Sequence, residues 1–145
     1  MKYFFDTSSL VKIYHRESGT SEVLNIYNNH DNSIQISELG RVEFISTIHR
    51  KFREKEFNSE TLDALVCKFQ DDADSLYEIL QFSSLVTDEA EILIQKFATK
   101  YSLKTLDSIQ FAFFNVYCES DTIFVCSDAK FCKLVEKKGI QVLVP

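Results

Sequence analysis

KYFFDTSS (residues 2–9) and TIFVCSDAKF (residues 122–131) decide the fold. Each opens as a compact run with almost no polar side chain, and each then reaches an acid: Asp6 in the first, Asp128 in the second. Such runs are what a strand buried on both faces shows, and strands of that kind are the central strands of a parallel sheet covered by helices. SIQI (33–36), FSSLV (82–86) and QVLV (141–144) are expected to be strands as well, for a sheet of about five.

Amphipathic stretches lie between these runs. Residues 8–15, 18–29, 37–56, 58–80, 88–101, 106–118 and 128–138 are expected to be helices. In the third of these, Leu39, Val42, Ile45, Ile48 and Phe52 recur at three- and four-residue steps behind Ser37, a good N-cap. Gly139 suits the position just past the last helix. Strands that alternate with helices predict an α/β fold: three layers, with helices on both faces of a parallel sheet.

The 145 residues, 45% hydrophobic, fit one domain spanning 1–145, and only 3 Gly and 1 Pro leave no evident linker. No apolar run reaches the ~18 residues of a membrane helix, and an acid at position 6 does not suit a secretory leader, so a cytoplasmic location with no membrane partner is expected. Cys67, Cys118, Cys126 and Cys132 form no CxxC pair, which predicts four reduced cysteines and no zinc site. A formal net charge of −6 argues against an indiscriminate nucleic-acid binder, but not against an enzyme that grips nucleic acid through metal ions.

Ligands of an open parallel sheet bind beyond the carboxyl ends of its strands, where Asp6 and Asp128 fall. Glu43 sits at the edge of the apolar stripe of its helix, and Asp107 in the opening turn of a helix apolar enough to be buried. Each acid has a plain alternative. Asp6 could make an Asx turn, Asp128 could cap the last helix, Asp107 could oppose its helix dipole and Glu43 could pair with Arg50. Taken together, four converging carboxylates repel one another and call for a cation. Hard oxygen ligands without Cys or His indicate Mg²⁺ or Mn²⁺.

FFDTSSLVKIY, ISELGRVEFISTIHRK, LKTLDSIQFA and IFVCSDAKF, in that order and spacing, resemble the PIN-domain family, and more narrowly its VapC-type ribonuclease toxins of toxin–antitoxin pairs. The resemblance covers residues 2–145. It implies a strand order 3-2-1-4-5 and an Mg²⁺-dependent endoribonuclease acting on RNA such as tRNA or rRNA. Asp6, Glu43, Asp107 and Asp128 would be the catalytic, metal-binding acids, with Ser8 lining the site. Cys126 stands where the family commonly has Thr or Ser. Lys12 and Lys130 are candidate substrate contacts because they lie near these acids in the chain, and the basic stretch Arg50, Lys51 and Arg53 is either a further contact or a solvated helix end. Glu38 is either an accessory acid or a solvated first-turn residue. The resemblance further implies a homodimer and a cognate antitoxin, with the helix at 58–80 offering the partner surface. Two other classes compete. A phosphoryl-accepting receiver domain would want paired acids after the first strand, and here Asp6 is alone. A non-catalytic PIN-like module binding RNA or protein would be marked by a missing acid, and all four are present.

Overall fold

The computed structural model describes residues 1–145. Its elements run β1 (Lys2–Phe5), α1 (Thr7–Tyr14), α2 (Thr20–Tyr27), β2 (Ser33–Ser37), α3 (Glu38–Arg53), α4 (Ser59–Ser75), β3 (Tyr77–Leu80), α5 (Ser84–Phe97), α6 (Thr105–Tyr117), β4 (Ile123–Val125), α7 (Ala129–Glu136) and β5 (Val142–Leu143). The strands form one all-parallel sheet in the order β3-β2-β1-β4-β5. The three-layer α/β fold and its strand order are therefore those expected.

Alternation along the central strands divides the core in two. Tyr3 and Phe5 point to one face, where Leu10, Val23, Phe44, Ile48 and Phe69 from α1 to α4 cover them. Phe44 and Phe69 stack there with centroids 3.9 Å apart. Phe4 points to the other face, against α5, α6 and α7. The aromatic residues of α6 are core, as their apolar neighbours suggested: Phe114 and Phe111 meet Phe124 edge-on at 5.2 and 6.3 Å.

The third strand differs from expectation. It is YEIL (77–80), paired with β2 from Ile34↔Tyr77 to Ser37↔Leu80, and FSSLV (82–86) is not a strand. Ser83 caps α5, which opens at Ser84, and Phe82 and Leu85 are exposed. The helix expected over 58–80 accordingly ends at Ser75. Apolar residues at 76, 77, 79 and 80 extend its helical spacing, and only pairing with β2 turns them into a strand.

The cysteine expectation is also revised. Cys126 and Cys132, both fully buried, are joined in a disulfide between the end of β4 and α7, while Cys67 and Cys118 are free. A spacing of six residues carries no pairing signal; the α7 turn brings the two together. No helix is long and apolar enough to cross a membrane. The exposed large apolar side chains include Leu85 and Ile92 on α5 and Val42 and Leu106 elsewhere, and none lies within α4.

Candidate functional site

The chain leaves β1 towards β2 on one side and later crosses to place β4 on the other, so β1 and β4 flank the topological switch point where an open sheet forms its crevice. Phe5 is in register with Val125, and the Asp6 N–H donates to the Val125 carbonyl at 2.9 Å. The first turn of α1 and the loop after β4 are further stitched by hydroxyls. Ser8 Oγ accepts from the Ser127 N–H at 3.0 Å, and Ser9 Oγ lies 2.8 Å from Ser127 Oγ.

Asp6, Ser8, Glu43, Asp107, Ser127 and Asp128 line one cleft of about 1030 Å³. Four acids from α1, α3, α6 and α7 or their caps thus share one opening, as their places in the sequence suggested. Asp6 caps α1, with Oδ2 accepting from Ser8 Oγ at 2.6 Å and from the Ser8 N–H at 3.3 Å, so its Asx turn is real. Asp6 is only 8% exposed. Burial raises its pKa to about 6, opposed by the Ser8 hydroxyl and reinforced by the charges of Glu43 and Asp107. Asp107 is likewise raised, first by burial and then, against Lys104, by Asp128 and Glu43.

Glu43 makes no ion pair with Arg50. Its Oε2 accepts from Thr7 Oγ1 and from Gln110 Nε2, each at 2.7 Å. Gln110 is fully buried; its Oε1 accepts from Ser37 Oγ at 2.7 Å, and its Nε2 also approaches Thr7 Oγ1 at 3.1 Å. Ser37 Oγ in turn accepts from the Gly40 N–H, capping α3. A Cβ on Gly40 would stand 3.3 Å from Ser37 Oγ, so glycine leaves room for this network. Thr7 and Gln110 were not singled out from sequence. A glutamine one turn beyond Asp107 in a phenylalanine-rich helix was the available signal.

Asp128 caps α7, as its alternative held, with Oδ1 accepting from the N–H groups of Lys130 and Phe131 at 2.9 and 3.1 Å. The capping bonds orient it, and Cys126 is occupied with Cys132. Lys12 lines the cleft but is buried, and its Nζ donates to the Pro145 carbonyl at 2.7 Å, away from the acids. Lys130 lines a separate pocket formed by α7 and residues 100–103. Glu38 accepts from the Phe82 N–H at 2.7 Å and braces the loop after β3. On the cleft wall, Lys51 is paired with Glu17 and Glu56, whereas Arg50, Arg53 and Lys104 have no ion-pair partner.

None of the four cleft acids is in an ion pair, and neither Asp6 Oδ1 nor Glu43 Oε1 receives a protein donor. Clustered carboxylates, one buried (Asp6), two half-buried (Glu43, Asp107) and one exposed (Asp128), that lack a paired cation have the donor chemistry for a hard divalent ion. As they stand, no three acidic, His or Cys side chains are drawn close enough to enclose one.

A five-stranded parallel sheet in this order, with an acidic cleft at its switch point, is a PIN-like α/β domain. Its fold is shared with VapC-type toxins. VapBC2 from Rickettsia felis, solved bound to a promoter DNA fragment, is 18% identical with a TM-score of 0.67 over 99% of this chain and 98% of that one. VapC20 from Mycobacterium tuberculosis, a sarcin–ricin loop cleaving toxin, is 13% identical with a TM-score of 0.69 over 99% of each chain. FitAcB from Neisseria gonorrhoeae is 12% identical with a TM-score of 0.71 over 99% and 96%. No protein-family model and no curated protein matches the sequence.

Proposed function

We propose that this chain is a metal-dependent endoribonuclease, the toxin of a toxin–antitoxin pair. The carrying observation is that Asp6, Glu43, Asp107 and Asp128 meet in one cleft with no cationic side chain paired to any of them. The fold shared with VapC20 supports RNA as the substrate, with rRNA or tRNA as its class, and the fold shared with the VapBC complexes supports a cognate antitoxin. The same likeness suggests a homodimer.

Asp6, Glu43, Asp107 and Asp128 would hold Mg²⁺ or Mn²⁺, which when bound would acidify a water and offset charge on the phosphate under attack. The chain's own residues set the acids up for it. Ser8 fixes one oxygen of Asp6 and leaves the other unengaged, and Thr7 with Gln110 does the same for Glu43. Burial of Asp6 strips water from its carboxylate, so its charged form gains strongly from a cation. Arg50, Arg53 and Lys104 on the wall would attract the phosphate backbone. In a pure binding module such unpaired acids would only repel RNA, which favours the enzyme.

The test is incubation of total RNA with purified protein and Mg²⁺ or Mn²⁺, beside EDTA, Asp6→Asn and Asp107→Asn controls. Discrete fragments that vanish in all three controls are expected. Cutting unaffected by the substitutions would place the activity elsewhere and sink the four-acid site.

A further inference from the structure

Along α7 and residues 100–103 lies a second pocket, of about 550 Å³, whose charge is opposite to that of the protein. Lys100, Lys130, Lys133 and Lys137 surround it, with Glu136 its one acid, in a chain of net charge −6. None of these lysines is in an ion pair, so their charge is open to an incoming anion. Leu103, Phe131 and Leu134 add apolar lining, and Tyr101 supplies an aromatic ring. Lys137 Nζ donates to Tyr101 Oη at 3.0 Å and lies 4.4 Å from the ring centroid, so the ring is held in place before any ligand arrives. Beside Tyr101, at 6.3 Å between centroids, Phe97 carries Lys96 and Lys138 over its ring.

The pocket joins the acid cleft along two stretches of chain. Leu103 lines the pocket and Lys104 the cleft; Asp128 lines the cleft and Lys130 the pocket. At 1.5 Å per helical residue, Lys133 and Lys137 stand roughly 8 and 14 Å along α7 from Asp128. Cations beside a preset aromatic ring form the combination that grips a single strand: charge tracks the phosphates, and an unpaired base stacks on the ring. An acidic protein segment could use the lysines as well, but a ring flanked by cations gives most to a flat unpaired base between phosphates.

We infer that this pocket binds the single-stranded RNA flanking the bond to be cut, with Lys100, Lys133 and Lys137 on its phosphates and Tyr101 stacked against one unpaired base. The inference rests on the RNA-cleaving function proposed above and adds to it the path of the strand beyond the acids. Lys130, expected from sequence to serve the acid cleft, serves the strand from here.

The test measures binding in EDTA, so that it does not depend on cleavage. A fluorescein-labelled 12-nucleotide single-stranded RNA is titrated with full-length wild type, the double variant Lys133→Gln/Lys137→Gln, Tyr101→Ala and Tyr101→Phe, after circular dichroism has shown that all are folded. The double variant is expected to bind about tenfold more weakly and to flatten the slope of log K against log salt by about 1.4, the share of two single-strand phosphate contacts. Tyr101→Ala is expected to lose about tenfold with an unchanged slope, and Tyr101→Phe to retain affinity. Equal affinity and slope in all four proteins, or no RNA binding by the wild type, would overturn the inference. So would RNA binding unaffected by the lysine substitutions while a labelled Glu-rich 12-residue peptide loses its affinity, which would make the pocket a protein dock. If lysine-dependent binding holds and no RNA is cut with metal, the pocket stands and the nuclease function falls.

Discussion

Two buried carboxylates in this molecule differ in how they are partnered. Asp72 on α4 and Asp6 after β1 are almost equally hidden, at 5% and 8% exposure. Asp72 is fully engaged: Tyr14 and Tyr27 donate to Oδ2 at 2.7 and 2.9 Å, and Lys68 to Oδ1 at 2.5 Å. Tyr77 completes that cluster through Tyr14, at 2.6 Å between hydroxyls, and burial raises the pKa of both phenols, keeping them neutral donors. Asp6 has Ser8 and two acidic neighbours. Burial is the same; partnership is not. A buried charge with partners locks α1, α2, α4 and β3 together, and one without partners is available for a ligand.

The comparison can be broken or sharpened by measurement, starting with the largest effect. Asp6→Asn is expected to cut RNA cleavage on the order of 10³-fold, about 4 kcal/mol of transition-state stabilisation, as read from single-turnover rates. Asp72→Ala is expected to destabilise the fold by about 3 kcal/mol in urea titration, because it removes the shared acceptor of the Tyr14 and Tyr27 hydroxyls and the partner of Lys68, while cleavage per folded molecule stays unchanged. A loss of cleavage in the Asp72 variant beyond its unfolded fraction would erase the difference.

Next, Asp6→Asn should stabilise the metal-free protein by up to about 3 kcal/mol at pH 7. The sign follows from the folded pKa of about 6 lying above the ordinary 3.8. Between those values the folded state keeps a proton that the unfolded chain has released. The cost of the charged Asp6 is therefore absent below about pH 4, grows as pH rises to 6, and is complete above that. The stability difference between variant and wild type, followed in EDTA from pH 4 to 7.5, should widen along that course, and added Mg²⁺ should narrow it. A flat difference would mean that Asp6 is not the strained partner of the pair. A smaller effect is expected from Gln110→Leu, which removes a donor from Glu43 and strands Ser37 Oγ: about 1–2 kcal/mol of stability and roughly a tenfold loss of cleavage.

The fold was legible wherever side-chain pattern and position in the sheet agree. KYFF and IFV are buried on both faces because they are central, so their composition announces them. The edge strand β3 gives no such notice, although the other edge, β5, lies within the expected QVLV. YEIL has an exposed Glu78 and continues the spacing of α4, so helix and strand fit it equally until β2 is beside it. The acids were legible because strand ends and helix openings can be located from sequence. Their partners were not: Gln110 lies 67 positions from Glu43, and Lys12 turns to Pro145 across 133. Nearness along the chain to an acid did not show that Lys12, which lines the cleft, spends its Nζ on Pro145, or that Lys130 lines the neighbouring pocket.

The hydroxyl stitch of Ser8, Ser9 and Ser127 ties the first turn of α1 to the loop after β4. Asp6, two residues before Ser8, and Asp128, one after Ser127, therefore sit on segments that these hydroxyls join. Ser127→Ala, which removes one hydroxyl and nothing else, should cost only about 0.5–1 kcal/mol of stability. Its larger signature should be dynamic, with faster amide exchange at residues 7–9 and 127–128 together. In a lineage of such proteins, drift at position 127 would then be constrained by what stands at 8 and 9, although the three are more than a hundred residues apart in the chain.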